Sequence, residues 1–277
     1  VSVGAKVTLL GESLYPLPHQ TTVRVGTRSA LVARAANNEV EFSVPLGGAS
    51  SRVSLSTPYG LAVSDRDLVV LPSGVTAAEI AAVRRVQADG VEIPLSTQNA
   101  GQQVALLFDA ELGEHLDVQM SAITAGNLAY TLYDPSNRKV VDGTATTSDP
   151  TVLLPPAAKA GTYLLLIKPS QGPASWKLAI ERSRMIMADG ETLPLATTIA
   201  GQKKRFIFSG SVDQRLGLGL EGLTLSSGTS MYATVMNRSN TVVSASCLPS
   251  YDGCQLNIRA PQTAIYSVVF APSSTAQ

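Results

Sequence analysis

Residues 88–102 read ADGVEIPLSTQNAGQ, and residues 188–202 read ADGETLPLATTIAGQ. Ala88, Asp89, Gly90, Pro94, Leu95, Thr97, Ala100, Gly101 and Gln102 all return 100 positions later, nine identities in fifteen positions without a gap. That density marks a tandem duplication. Beyond the block, Phe108 answers Phe208 and Leu116 answers Leu216; after SAITAGN (121–127) is replaced by the longer EGLTLSSGTS (221–230), the offset becomes 103. Thr131 then pairs with Thr234, Ser136-Asn137 with Ser239-Asn240, Tyr163 with Tyr266 and Pro169 with Pro272. A register lost at one loop and recovered afterwards is what a change of loop length in a shared fold produces.

Each copy carries short apolar-polar alternation: VALLFDA and RFIFSGS, LDVQM and LGLGL, AYTLYD and ATVMNR, TYLLLIKP and IYSVVFAP. Period-2 runs bounded by Gly, Pro, Asn and Ser are strands. Each copy is therefore expected to be a β-sandwich of about 95 residues, over 83–182 and 183–277. Residues 1–72 show the same texture in Lys6–Leu10, Thr21–Val25, Glu39–Val44, Arg52–Ser56 and Asp67–Leu71. Between them, SGVTAAEIAA (73–82) reads as a short helical connector, with Thr76 and Glu79 spaced as a capping box. The fold class is all-β: three tandem sandwiches, one immunoglobulin-like and two jelly-roll-like repeats.

With 277 residues and 44% hydrophobic content, the chain can bury several cores. Its formal net charge is zero and only 15% of residues are charged, which argues against a nucleic-acid surface. No apolar run approaches the roughly 20 residues of a membrane-spanning helix. VSVGAKVTLL has neither Met nor a signal-peptide pattern, so the sequence reads as a mature product or an excised fragment. Cys247 and Cys254, seven apart around Pro249, Asp252 and Gly253, can close a local disulfide in an oxidising compartment; two reduced thiols are the alternative.

The first segment resembles the IPT/TIG immunoglobulin-like domain. The residues that carry the likeness are VTLLGESL at 7–14, TTVRVGTRSALVARAANNEVEFSVPLG at 21–47 and RVSLSTPYGLAVS at 52–64, although Leu14 stands where an aromatic is usual. The resemblance implies a first strand ahead of Val1. The two repeats resemble the pre-peptidase C-terminal β-sandwich of secreted bacterial proteins, in particular its variants in Rhs/YD-repeat and other cell-surface proteins. That likeness rests on the Ala-Gly-Gln turns (100–102, 200–202), Phe208-Ser209-Gly210, Asp213–Leu216, the Asp134–Asn137 turn and the Ala160–Tyr163 hairpin. Copy two departs from it at Ala264-Ile265-Tyr266 and Asn237-Arg238. In copy one, SQGPASWKLAIE follows Pro169 as a closing strand through Trp176, Leu178 and Ile180; in copy two only SSTAQ follows Pro272. The short end reads first as a proteolytic or ordering boundary of the piece; the sharper expectation is an exposed sheet edge completed by another chain.

Chemistry is sparse. His19 and His115 lie in different domains, and no nucleophile elbow, zinc-binding helix motif or phosphate loop is present. Gly217-Leu218-Gly219 falls within a strand. Asp134, Asn137 and Asp142, or Asp109, Glu111 and Glu114, could be imagined around calcium, which needs six or more oxygens; turn-making accounts for Asp134 and Asn137. Asp89 and Asp189 read as Asp-Gly turns. Trp176 reads as core, while Tyr15, Tyr59, Tyr232 and Tyr251 fall in or near loops. The expected role is thus non-catalytic, with no cofactor: a structural, adhesion or assembly module of a bacterial secreted or surface protein. Its expected partners are neighbouring domains, other subunits or surface glycans, with strand exchange in a fibre as one form. An accessory carbohydrate- or substrate-binding region of a secreted hydrolase is the alternative.

Overall fold

A computed structural model describes the chain except residues 191, 227–229, 238–240, 249–253 and 273–277. The expected Ser239-Asn240 turn, Arg238, Pro249, Tyr251, Asp252, Gly253 and the SSTAQ tail lie outside the described residues. The fold is all-β, in several sheets that pack as tandem sandwiches.

Residues 1–72 contribute β1 (Lys6–Leu10), β2 (Thr22–Val25), β3 (Arg28–Ala35), β4 (Glu39–Ser43), β5 (Ser51–Thr57) and β6 (Gly60–Leu68), hydrogen-bonded in the order β1-β4-β3-β2-β5-β6. β3 serves both layers. Its Arg28–Ala30 end pairs with β2 and its Leu31–Ala35 end with β4, with a register shift between Val32 and Arg34. Val23, Val25, Val40, Phe42, Val53, Leu55 and Val70 meet between the layers, as period-2 burial requires.

The expected helical connector shrinks to one 3₁₀ turn, Ala77–Glu79. Glu79 accepts from the Thr76 N–H (2.7 Å) and hydroxyl (3.0 Å), so the capping box forms. It does not propagate into an α-helix, because Ile80 is already in β7 (Ile80–Arg85), which runs parallel to a strand of the first repeat. Three residues assigned to the connector thus belong to the sheet: a nonlocal partner decides their state, and local propensity cannot see it.

The first repeat continues with β8 (Ile93–Thr97), β9 (Gln103–Ala110), β10 (Leu116–Ser121), β11 (Asn127–Tyr133), β12 (Lys139–Thr146), β13 (Thr151–Leu153), β14 (Gly161–Pro169) and β15 (Ala174–Arg182). One sheet has the order β12-β11-β14-β9-β7 and the other β13-β10-β15-β8. The second repeat holds β16 (Arg184–Met185), β17 (Lys204–Gly210), β18 (Arg215–Leu220), β19 (Met231–Met236), β20 (Thr241–Cys247), β21 (Cys254–Arg259) and β22 (Ala264–Pro272). Its sheets run β16-β17-β22-β19-β20 and β18-β21.

Detail repeats along with topology. Phe108 lies opposite Tyr163 and their rings stack at 5.8 Å; Phe208 lies opposite Tyr266 and stacks at 5.6 Å. Each tyrosine hydroxyl donates four residues back, Tyr163 to the Lys159 carbonyl and Tyr266 to that of Gln262. The β11–β12 and β19–β20 pairs slip register at the same place, Leu132/Tyr133 and Val235/Met236. In one respect alternation understates burial: Val104–Phe108 and Tyr163–Ile167 are buried without a break. Ala105, Leu107, Leu164 and Leu166 face outward from the first repeat's core, but Val69, Val75 and Ile80 cover them. A strand covered on both faces reads as a continuous apolar run.

Candidate functional site

The residues that invite chemical readings are mostly engaged in structure. His19 sits exposed in a 3₁₀ turn, Pro18–Gln20, and His115 leads into β10 in another sandwich. Asp134 accepts from the Ser136 and Arg138 N–H groups and pairs with Arg138 and Lys159. Burial pushes its carboxyl up, but the Arg138 and Ser136 amides and the Lys159 and Arg138 side chains hold it below the usual value. Asn137 takes a left-handed turn conformation (φ 56°), and Asp142 pairs with Lys139. Asp109 binds Arg85 and Thr162; Glu114 binds Arg182, and its other oxygen accepts from the Glu111 N–H. Cationic and amide donors therefore occupy both proposed calcium sets.

The repeated Ala-Gly-Gln turns also resolve physically. The Gln102 side-chain Oε1 accepts the N–H groups of Gln98 and Asn99, each at 3.0 Å; Oε1 of Gln202 accepts Thr198 N–H at 2.8 Å. Gly101 (φ 81°) faces open space, whereas a Cβ on Gly201 (φ 73°) would lie 2.3 Å from the Ser148 carbonyl oxygen. The second turn is thus pressed onto the first repeat. Asp89 caps its own turn by accepting Val91 N–H, and Gly90 N–H donates to Ile180 in β15. Asp189 adopts φ 56° in a turn of its own. Tyr15 meets Tyr59 edge-on, 4.8 Å apart; Trp176 is 2% exposed and lies in the core.

Two junctions between sandwiches are each built on one arginine. Arg85 clamps Asp67 of the first sandwich through two hydrogen bonds (2.8 and 2.6 Å) and reaches Asp109 (2.6 Å), a fork geometry that arginine supplies and lysine cannot. Between the repeats, Arg205 of β17 is almost fully buried. It donates to the carbonyls of Leu154 (2.9 Å) and Leu116 (2.8 Å) and to the Ser183 hydroxyl (3.0 Å), and its Nη2 lies 2.7 Å from Asp117 Oδ1. Ser183 in turn donates to Asp117 Oδ2. Burial dominates both partners: it raises the Asp117 carboxyl to about 6, against the pull of Arg205, and lowers the guanidinium. Lys203 and Lys204 add pairs to Asp149 and Glu181. This junction was not visible in the sequence, where Arg205 is one cation opening a strand and Asp117 one acid within another.

The Cys247–Cys254 disulfide is formed, with the Cα atoms 5.2 Å apart, and it ties the end of β20 to the start of β21. Replacing both cysteines by serine is expected to cost the second repeat about 2.5 kcal/mol, the chain-entropy figure for so short a loop. A thermal melt with and without reductant checks this: the wild type should shift to the double mutant's midpoint, and the mutant should not move.

The smaller sheet of the second repeat differs from its counterpart in the first. In the first, β15 lies between β10 and β8. In the second, among the described residues no strand pairs with that edge of β18, and 192–197, the counterpart of β8, forms no strand.

No family profile matches the chain, and no curated protein matches it. Among solved structures it is similar to the pre-peptidase C-terminal domain of a collagenase from Bacillus anthracis (16% identity, 36% of this chain and 94% of that one, TM-score 0.30). It is also similar to Lac15 from a marine microbial metagenome (11% identity, 66% and 53%, TM-score 0.23) and to tripeptidyl peptidase 2 (6% identity, 93% and 30%, TM-score 0.24). Likenesses this remote assign no activity.

Proposed function

We propose that this chain is a non-catalytic structural and assembly module of an extracellular or cell-surface bacterial protein, holding neighbouring parts at fixed spacing. In this reading the first sandwich is an IPT/TIG-type domain, and the two repeats are pre-peptidase C-terminal-type units of the kind found in Rhs-like surface proteins. Fibre assembly by strand exchange between subunits is its most specific form. One observation carries the proposal: two arginines are used to lock neighbouring sandwiches together, Arg85 on Asp67 and Arg205 on Asp117 and two carbonyls. A guanidinium that already satisfies its donors inside a junction has nothing left for a ligand. The disulfide supports an oxidising location, and no helix among the described residues is long and apolar enough to cross a membrane.

A glycan array read beside mass photometry tests the proposal. The expected result is no retained sugar. Specific glycan binding by a strictly monomeric chain would replace the assembly role with that of an accessory carbohydrate-binding region.

A further inference from the structure

The two junctions use the same face of each repeat. β7 runs parallel to β9, with Arg84 beside Leu106 and Arg85 beside Leu107; β16 runs parallel to β17, with Arg184 beside Phe206 and Met185 beside Ile207. At the offset of 100 these are the same pairings. In the first repeat the outward residues Ala105, Leu107, Leu164 and Leu166 pack against Val69 and Val75 of the preceding segment. In the second, the counterpart of Ala105 is Arg205, which reaches Asp117 and the carbonyls of Leu116 and Leu154 in the preceding sandwich.

What differs is where the arginine stands. The first repeat carries it on β7, as Arg85, where Asp109 and Thr162 hold it beside Asp67. Met185, Ser209 and Ile265 occupy those positions in the second repeat, so neither the cation nor the carboxylate that steadies it recurs. The second repeat carries its arginine on β17 instead, at the place of Ala105. Both places are closed over, with Ala105 0% and Arg205 8% exposed. Exchanging the two residues would be costly either way. A guanidinium at 105 would be driven into the apolar cover of Val69 and Val75, and an alanine at 205 would leave the Asp117 carboxylate buried with Ser183 as its partner. An uncompensated buried charge is far less favourable than either matched face.

We infer that the placement of this arginine selects which sandwich each repeat docks on. Arginine at 205 with none at 185 admits only a seat that presents a buried carboxylate and two carbonyls. Alanine at 105 with arginine at 85 admits only an apolar seat with an acid at its margin. The order of the sandwiches is then fixed by exclusion as well as by attraction. The inference rests on the spacing role proposed above and names what each docking face recognises. Because Arg205 serves the Leu116 and Leu154 carbonyls, the Ser183 hydroxyl and Asp117 together, its seat tests geometry as well as charge.

Distances between spin labels on exposed strand residues of the full chain read each junction by itself: Ser56 to Ser96 spans the first, and Ser96 to Tyr232 the second. Arg205→Met should raise the undocked population of the second junction about 100-fold and leave the first unchanged. Adding Asp117→Leu should recover at least about tenfold of that loss, because the stranded carboxylate is then gone. Adding Met185→Arg instead, which moves the charge to the place it holds in the first repeat, should recover nothing. If the methionine variant does not fold, Arg205→Lys keeps the charge without the fork, should open the second junction about tenfold, and carries the same Met185→Arg addition. Recovery by Met185→Arg would mean that charge suffices wherever it stands. No recovery by Asp117→Leu would mean that the acid is not what the seat presents. Either result, or opening of the first junction by a change at 205, overturns the inference. None of them touches the glycan test, so the selection rule can fail while the structural role stands.

Discussion

Arg205→Met should destabilise the second repeat by about 3–5 kcal/mol, while Asp117→Asn should cost about 1 kcal/mol or less. The asymmetry follows from what each change leaves behind. Removing the guanidinium takes a donor from the Leu154 carbonyl and one of two from that of Leu116, which keeps the Leu154 N–H, and leaves a buried carboxylate with only Ser183 as a partner; an uncompensated buried charge is the expensive outcome. Asparagine keeps the volume and can still accept from Ser183, while Arg205 keeps its carbonyl acceptors. The pH dependence points the same way. Burial raises the Asp117 carboxyl from 3.8 to about 6, so between those values the folded protein holds a proton that the unfolded chain has released. This group's contribution is therefore fully present below about pH 4 and is lost as pH rises through 6, a change on the order of 3 kcal/mol. Asp134, held below the usual carboxyl range, works in the opposite sense, so the readout is the difference between wild type and Asp117→Asn in urea unfolding at pH 4 and pH 7. Equal penalties for the two variants, or a difference that does not change with pH, would refute this account of the junction.

Legibility in the sequence followed the range of the interactions. Strands, turns and the duplicated unit were readable because they rest on local periodicity and on identities at fixed spacing. Cys247 and Cys254 were readable because seven residues can close a loop. What escaped were features set by a distant partner. Ile80-Ala81-Ala82 look like the end of a capped helix until β9 pairs with β7 in parallel. Leu107 and Leu164 seem to face solvent by alternation until Val69 and Val75 cover them. Nothing near Arg205 announces that Leu116 and Leu154 supply its acceptors, because those carbonyls arrive only when two domains dock. The faithful repetition of Pro-Leu-x-Thr was misleading in a useful way. Pro-Leu-x-Thr lies in a strand at 93–97, where β15 pairs with it, and in none at 192–197.

That dependence makes Trp176→Ala the sharpest perturbation available in the first repeat. Trp176 is 2% exposed and anchors β15 against Leu95; truncating so large a buried ring should cost about 3–5 kcal/mol. Trp176→Phe should cost much less, because most of the volume is retained and the indole N–H has no acceptor among the described residues to forfeit. If β15 is what makes β8 a strand, Trp176→Ala should also speed amide exchange at 93–97 more than at 104–108, whose partners β14 and β7 are untouched. A matched pair on the facing strands completes the comparison. Met120→Ala, at a fully buried position, should cost about 2–5 kcal/mol, whereas Leu220→Ala, at a half-buried one, should cost about 1 kcal/mol. Equal penalties would mean that the core beneath β18 is already closed.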